Sequence, residues 1–225
     1  MNYTHAGIHF IFTLLVYLGL PLVGWGLGDL AGFFASPARL GYAALTGLSA
    51  FLAAYQGLVI PEDRDQAQKR VNRQTVFLVV VELLGMGLLA LVPLCDRSGI
   101  AAISGAAATR WLGLVLTLAD GGLMFGSVLA LGRQYSARVT LQPEHCLVTS
   151  GLYRFIRHPR YLGLLGMVLG FTLVFNTWVG AAADLALLAG LLWRISDEEN
   201  LLRGEFGQEW EDYARRTKRL IPGIW

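Results

Sequence analysis

Two short segments carry most of the side chains able to do chemistry. GLYRFIRHPRYLG, Gly151–Gly163, holds Arg154, Arg157, Arg160, His158, Tyr153 and Tyr161. DEENLL, Asp197–Leu202, follows after an almost unbroken apolar run from Tyr161 to Ile195. Guanidinium, imidazole and phenol donors in one segment and adjacent carboxylates in the other are complementary sets, suited to a zwitterionic or cationic ligand. Charge is costly in hydrocarbon, so basic and acidic groups at the rims of one apolar insert indicate a polar pocket at a membrane face. Contact with lipid headgroups explains arginines, but not the ordered Gly-x-Tyr and Arg-His-Pro-x-Tyr spacing. Pro159 disfavours helix at His158, which puts these polar groups where the chain enters the membrane.

The elements that position them follow from hydropathy. Of 225 residues, 55% are hydrophobic and 15% charged, against about 25% charged in a soluble domain. Windows of about 20 apolar residues, enough to span hydrocarbon, recur along the chain. The fold expected is all-α and polytopic. Spans are predicted near Ile8–Leu27, Leu40–Ile60, Thr75–Cys95 and Trp111–Leu131. The first lacks a basic leader and a small-x-small cleavage site and reads as a span. The run Tyr161–Ile195 is too long for one crossing, since its roughly 35 residues would reach about 50 Å as a straight helix. Asn176-Thr177 is the expected break, giving a transmembrane helical hairpin.

Charge distribution agrees with a hairpin. With both termini cytoplasmic, all Lys and Arg except Arg39, Arg97 and Arg110 fall on the cytoplasmic side, as the positive-inside rule requires. Ser196-Asp197-Glu198-Glu199 has the form of a capping box. It predicts a new amphipathic cytosolic helix to about Arg216, with Leu202, Phe206, Trp210 and Tyr213 on one face and Pro222 beyond its end. Two parts emerge: residues 1–109 with three spans, and residues 110–225 with the fourth span, the polar segment, the hairpin and the terminal helix.

Other candidates are weaker. His5 and His9 are one helical turn apart but have no third ligand nearby, and Cys95 and Cys146 have no metal-ligand spacing, so no metal is expected. Glu82, Asp120 and Asp184 lie deep in predicted spans, where an ionisable residue either serves a site or bonds to a neighbouring helix. Gly85-Met86-Gly87 admits close helix packing or close approach of a ligand to the backbone. Nothing indicates nucleic-acid binding, and no strand followed by GxGxxG provides a dinucleotide fold.

The blocks G-x-Y, R-H-P-x-Y-x-G, R-x-x-x-E-E, F-G-x-x-W and R-L-I-P occur in order between Leu131 and Pro222. In this they resemble the isoprenylcysteine carboxyl methyltransferase family and its phospholipid methyltransferase relatives. The resemblance implies an integral membrane enzyme, with S-adenosyl-L-methionine as methyl donor bound on the cytoplasmic side. It implies that His158, Tyr161 and Glu198 or Glu199 hold the donor's methionine end. His145, Leu147, Val148, Gly151 and Tyr153 would line the adenosine. Arg157 and Arg194, with Glu199, are the implied catalytic set, the arginines orienting an anionic acceptor. The acceptor implied is lipophilic or prenylated and reaches the site from the surrounding membrane lipids, most simply for carboxyl O-methylation of isoprenylcysteine. Phospholipid, amine or small-thiol acceptors stay open. So does an NADPH-dependent reductase of the sterol reductase type, although such proteins usually carry Asn where Arg160 stands and a single acid where Glu198 and Glu199 stand.

Overall fold

A computed structural model describes residues 3–59, 69–70, 75–132, 140–141 and 146–223. Helix α1 (Tyr3–Leu14) passes through a π-helical turn (Leu15–Gly19) into α2 (Leu20–Trp25). Next come a 3-10 turn (Leu27–Asp29), α3 (Leu30–Phe34) and α4 (Pro37–Val59). Helices α5 (Thr75–Arg97) and α6 (Ala106–Leu131) follow, and the two-residue strands β1 (Lys69–Arg70) and β2 (Thr140–Leu141) pair antiparallel. A 3-10 turn (Gly151–Arg154) then leads to α7 (Pro159–Val174), α8 (Val179–Phe206) and α9 (Gln208–Arg216). Among the described residues, Ala6–Trp25, Ala106–Leu131 and Val179–Phe206 are long and apolar enough to cross a membrane, and α7 is a shorter apolar helix. Ile8, Ile11 and Phe12 on α1 and Val115 and Leu118 on α6 are exposed, an arrangement suited to lipid rather than water. The architecture is that of a helical membrane protein.

The π-helical turn has a local cause. Pro21 lacks the N–H that would bond the Tyr17 carbonyl in an α-helical register. The Tyr42 hydroxyl from α4 donates to that carbonyl instead, at 2.6 Å. Helices α6 and α7 pack through glycines, as membrane helices often do. A Cβ at Gly170 would stand 2.8 Å from the Gly113 carbonyl, and one at Gly163 would stand 2.8 Å from the Asp120 carbonyl. A Cβ at Gly166 would overlap the Asp120 carboxylate itself. Gly85 and Gly87 differ: among the described residues, no atom of another segment lies within 4 Å of either Cβ position.

The expected interruption at Asn176-Thr177 coincides with the gap between α7 and α8. Asn176 takes φ 50°, a left-handed conformation that asparagine tolerates. The turn is stitched to residues 100–103: the Ile103 N–H donates to the Asn176 carbonyl at 3.1 Å, the Asn176 amide returns a bond to the Ile103 carbonyl at 3.0 Å, and the Thr177 hydroxyl donates to the Ile100 carbonyl at 2.9 Å. Beside it, Asp96 accepts from Arg39 at 3.1 Å and from Arg110 at 2.8 Å, while Arg110 also donates to the Val174 carbonyl at 2.6 Å. The Arg39 guanidinium lies 4.2 Å from the centre of the Trp25 ring. Arg97 donates to the Trp25 carbonyl and lies 3.8 Å from Asp29. The three arginines that charge counting separates from the rest are thus gathered at one end of the bundle. An aromatic core formed by Trp25, Phe33, Tyr42, Phe171 and Phe175 lies against it.

One expectation is corrected. Ser196 does not start a new helix: α8 runs unbroken through Ser196–Glu199, and the Ser196 hydroxyl back-bonds to the Leu192 carbonyl at 3.1 Å. A serine inside a helix can satisfy itself in this way, so the capping pattern does not oblige a boundary. The break comes at Gly207, whose φ of 49° favours glycine. The helix expected up to Arg216 is therefore divided between the end of α8 and α9.

Candidate functional site

At the other end of the bundle, α7 begins at Pro159, whose fixed φ suits the first helical position. His158 precedes it outside helical geometry, with φ −126° and ψ 57°. Because α8 continues past its apolar stretch, it carries Arg194, Asp197, Glu198 and Glu199 back to this start as one rigid element.

The neighbouring carboxylates Glu198 and Glu199 have different surroundings. Glu199 is enclosed, its side chain 4% exposed. Its Oε1 accepts from Arg157 Nε at 2.9 Å and lies 3.3 Å from His158 Nε2. Its Oε2 lies 2.9 Å from Arg219 Nη2. Glu198 is accessible, with a side chain 31% exposed, and its Oε2 accepts the Tyr161 hydroxyl at 2.6 Å. The Tyr161 oxygen in turn accepts from Arg194 Nε at 2.8 Å. The rings of His158 and Tyr161 are stacked, with centroids 5.5 Å apart and planes at 17°. Arg194–Tyr161–Glu198 is thus a buried line of polar groups ending in a reachable carboxylate, with Leu191, Ile195 and Leu220 forming an apolar cluster around Tyr161.

The C-terminal segment completes the framework. Arg157 Nη1 donates to the carbonyls of Ala214 at 3.0 Å and Thr217 at 2.6 Å. The backbone N–H of Arg157 donates to the Lys218 carbonyl at 2.7 Å, and that of His158 to the Arg219 carbonyl at 3.0 Å. Tyr213 donates its hydroxyl to the Tyr153 carbonyl at 2.7 Å. Burial pushes the Tyr213 phenol up to about 12, which keeps it protonated as the donor. Burial also pushes the Tyr153 phenol up, and the negative charge of Glu198 adds to the effect.

The structure therefore brings Arg157, His158, Tyr161, Arg194, Glu198 and Glu199 together. Tyr153 is buried behind them. Gly151 is exposed, with φ 60° in the left-handed region that favours glycine. Leu147 and Val148 are half-buried, and His145 lies outside the described residues. Arg219 and Thr217 have no site role in the sequence reading, and Tyr213 appears there only on the apolar face of the terminal helix. Arg219 stands in the R-L-I-P block, which was the available signal, but nothing in that block named Glu199 as its partner.

A helical membrane protein with a carboxylate–guanidinium–phenol site at one end of its bundle is the class this geometry defines. Residues 111–204 match the isoprenylcysteine carboxyl methyltransferase (ICMT) family, which bears out the resemblance read from the sequence blocks. A probable protein-S-isoprenylcysteine O-methyltransferase of Oryza sativa subsp. indica is 32% identical over 117 residues, covering 51% of this chain and 61% of that protein. The cobalt-zinc-cadmium resistance protein CzcN of Cupriavidus metallidurans is 34% identical over 124 residues, covering 52% of this chain and 55% of that protein. The chain thus spans less than two thirds of these relatives. A solved structure of the eukaryotic intramembrane Ras methyltransferase ICMT aligns over 96% of this chain and 98% of its own, with 21% identity and a TM-score of 0.48.

Proposed function

We propose that this protein is an integral membrane methyltransferase that uses S-adenosyl-L-methionine to methylate a lipophilic acceptor, with the carboxyl group of an isoprenylcysteine or similar molecule as the leading substrate. The observation that carries the reading is the division between Glu198 and Glu199. The residues present fit the donor. Glu198 is an accessible carboxylate for its ammonium, held by the Tyr161 hydroxyl, and His158, stacked on Tyr161, is the group able to bind its carboxylate. Leu147, Val148, Gly151 and Tyr153 are the candidates for the adenosine face.

S-adenosyl-L-methionine, when bound, supplies a methyl group on a positively charged sulfur. This chain's residues then have to hold, align and dry the site, which is where catalysis of an in-line displacement originates. Glu198 and Tyr161 fix one end of the donor. Arg194, buried beneath Tyr161, is placed to orient an anionic acceptor arriving along the apolar face of α8. An acceptor carboxylate is already ionised, so this reaction needs no base. Arg157 and Glu199 keep the loop before α7 in shape.

In this reading α7 and α8 form the transmembrane hairpin. The 16 residues of α7 reach about 24 Å, short of a hydrocarbon core of about 30 Å. The start of α7 then sits at interface depth, where a membrane-dissolved tail and a water-soluble donor can meet. The basic residues at this end support a cytoplasmic location for it and for both termini under the positive-inside rule.

Calorimetry of the purified protein with S-adenosylmethionine, S-adenosylhomocysteine and NADPH tests the proposal. Binding of either adenosyl compound and not NADPH is expected; NADPH alone would point to the reductase. Transfer of a radiolabelled methyl group to a synthetic prenylcysteine would then test the acceptor.

A further inference from the structure

We infer that the segment Thr217–Arg219 is a strap that sets the geometry of the donor loop Phe155–His158, and that Arg219 is a positioning residue for the donor site. The inference rests on the methyltransferase reading and deepens it.

Backbone geometry comes first. Ile156 and Lys218 form a parallel bridge, and the N–H groups of Arg157 and His158 both donate to the strap, to the carbonyls of Lys218 and Arg219. The strap is thus the template on which the last residues before α7 are laid. His158 is at once the residue before the helix, a stacking partner of Tyr161 and a neighbour of Glu199.

The side chain of Arg219 adds a second constraint. It reaches Glu199 Oε2 at 2.9 Å, while Arg157 and His158 lie on Oε1. Arg157 comes from the loop before α7, Glu199 from α8 and Arg219 from the strap, so one carboxylate ties three segments. Removing Arg219 leaves Arg157 on Glu199. It also leaves the strap held through Arg157 on the Ala214 and Thr217 carbonyls. The fold therefore survives the loss, while Glu199 is no longer fixed at both oxygens and can rotate, carrying Arg157 and His158 with it.

Electrostatics and positioning predict opposite signs. S-adenosylmethionine carries a net positive charge, so deleting a nearby cation by charge alone strengthens its binding. Loss of positioning weakens it. The test compares the full-length protein with Arg219→Gln, Arg219→Lys and, as a charge-matched control on α9, Arg215→Gln, whose side chain is exposed and pairs with Asp212. Calorimetry with S-adenosylmethionine and thermal unfolding followed by tryptophan fluorescence are the readouts. Arg219→Gln should bind about tenfold more weakly, the scale of one charge-assisted hydrogen bond, at an unchanged unfolding temperature. Arg219→Lys should regain much of the loss, and Arg215→Gln should match the parent. Equal or tighter binding by Arg219→Gln would overturn the inference, as would a loss matched by a fall in unfolding temperature. If the parent protein binds no adenosyl compound, the methyltransferase reading fails first and takes the strap's role with it.

Discussion

Glu198 and Glu199 are consecutive on α8, yet the first is one-third exposed beside the Tyr161 hydroxyl and the second is shut among Arg157, His158 and Arg219. Their replacement should have different consequences. Glu198→Gln is expected to weaken S-adenosylmethionine binding by about ten- to a hundredfold, the worth of one charged contact, with little change in unfolding. Glu199→Gln leaves a buried guanidinium without its counter-charge and should cost about 3 kcal/mol of stability. Paired calorimetry and thermal melts decide; identical behaviour of the two variants would contradict the division.

Asp96 should matter only at its own end. It is shared by Arg39 and Arg110, and all three side chains are largely buried. Asp96→Asn is expected to lose about 3 kcal/mol. Donor affinity measured below the new melting point should be unchanged, because the length of α7 stands between the two ends. A matching loss of affinity would mean the ends are coupled.

Gly166 and Asp120 form a steric pair. Gly166→Ala puts a methyl group onto the Asp120 carboxylate and should cost about 1–3 kcal/mol, as overpacking does. Asp120→Ala in the same chain should recover most of that, giving a large coupling in a double-mutant cycle. Simple additivity would show that the two side chains do not meet.

Tyr42→Phe removes the hydroxyl that donates to the Tyr17 carbonyl and should cost about 1 kcal/mol. With Pro21→Ala already present, the helix can supply its own N–H, and the same substitution should be nearly silent. Melting curves of the four proteins settle the point.

Much of this was legible in the sequence because hydropathy and charge are local signals. Apolar windows located the helices, the turn at Asn176 was marked by a residue that accepts a left-handed backbone, and Arg39, Arg97 and Arg110 separated themselves from the other cations. The R-H-P-x-Y and R-x-x-x-E-E blocks named the groups that the structure brings together. What was not legible depends on direction and distance. Ser196 reads equally well as a cap or as a back-bonded serine within a helix. Adjacent glutamates are indistinguishable until the helix rotation assigns each a face. The partnership of Arg219 with Glu199 crosses the whole of α9, and Asp120 meets Gly166 across two helices, a pairing no periodicity reveals.

The unbroken course of α8 makes it a ruler. Its 28 residues extend about 42 Å, so the height of the carboxylates above the turn at Asn176 is fixed by helical rise and not by any loop. One residue inserted between Val179 and Leu191 would lift Glu198 by about 1.5 Å and swing it about 100° away from Tyr161. A seven-residue insertion would nearly restore its facing but raise it about 10 Å beyond reach. The length of this helix is thereby as much a part of the site as the residues at its end.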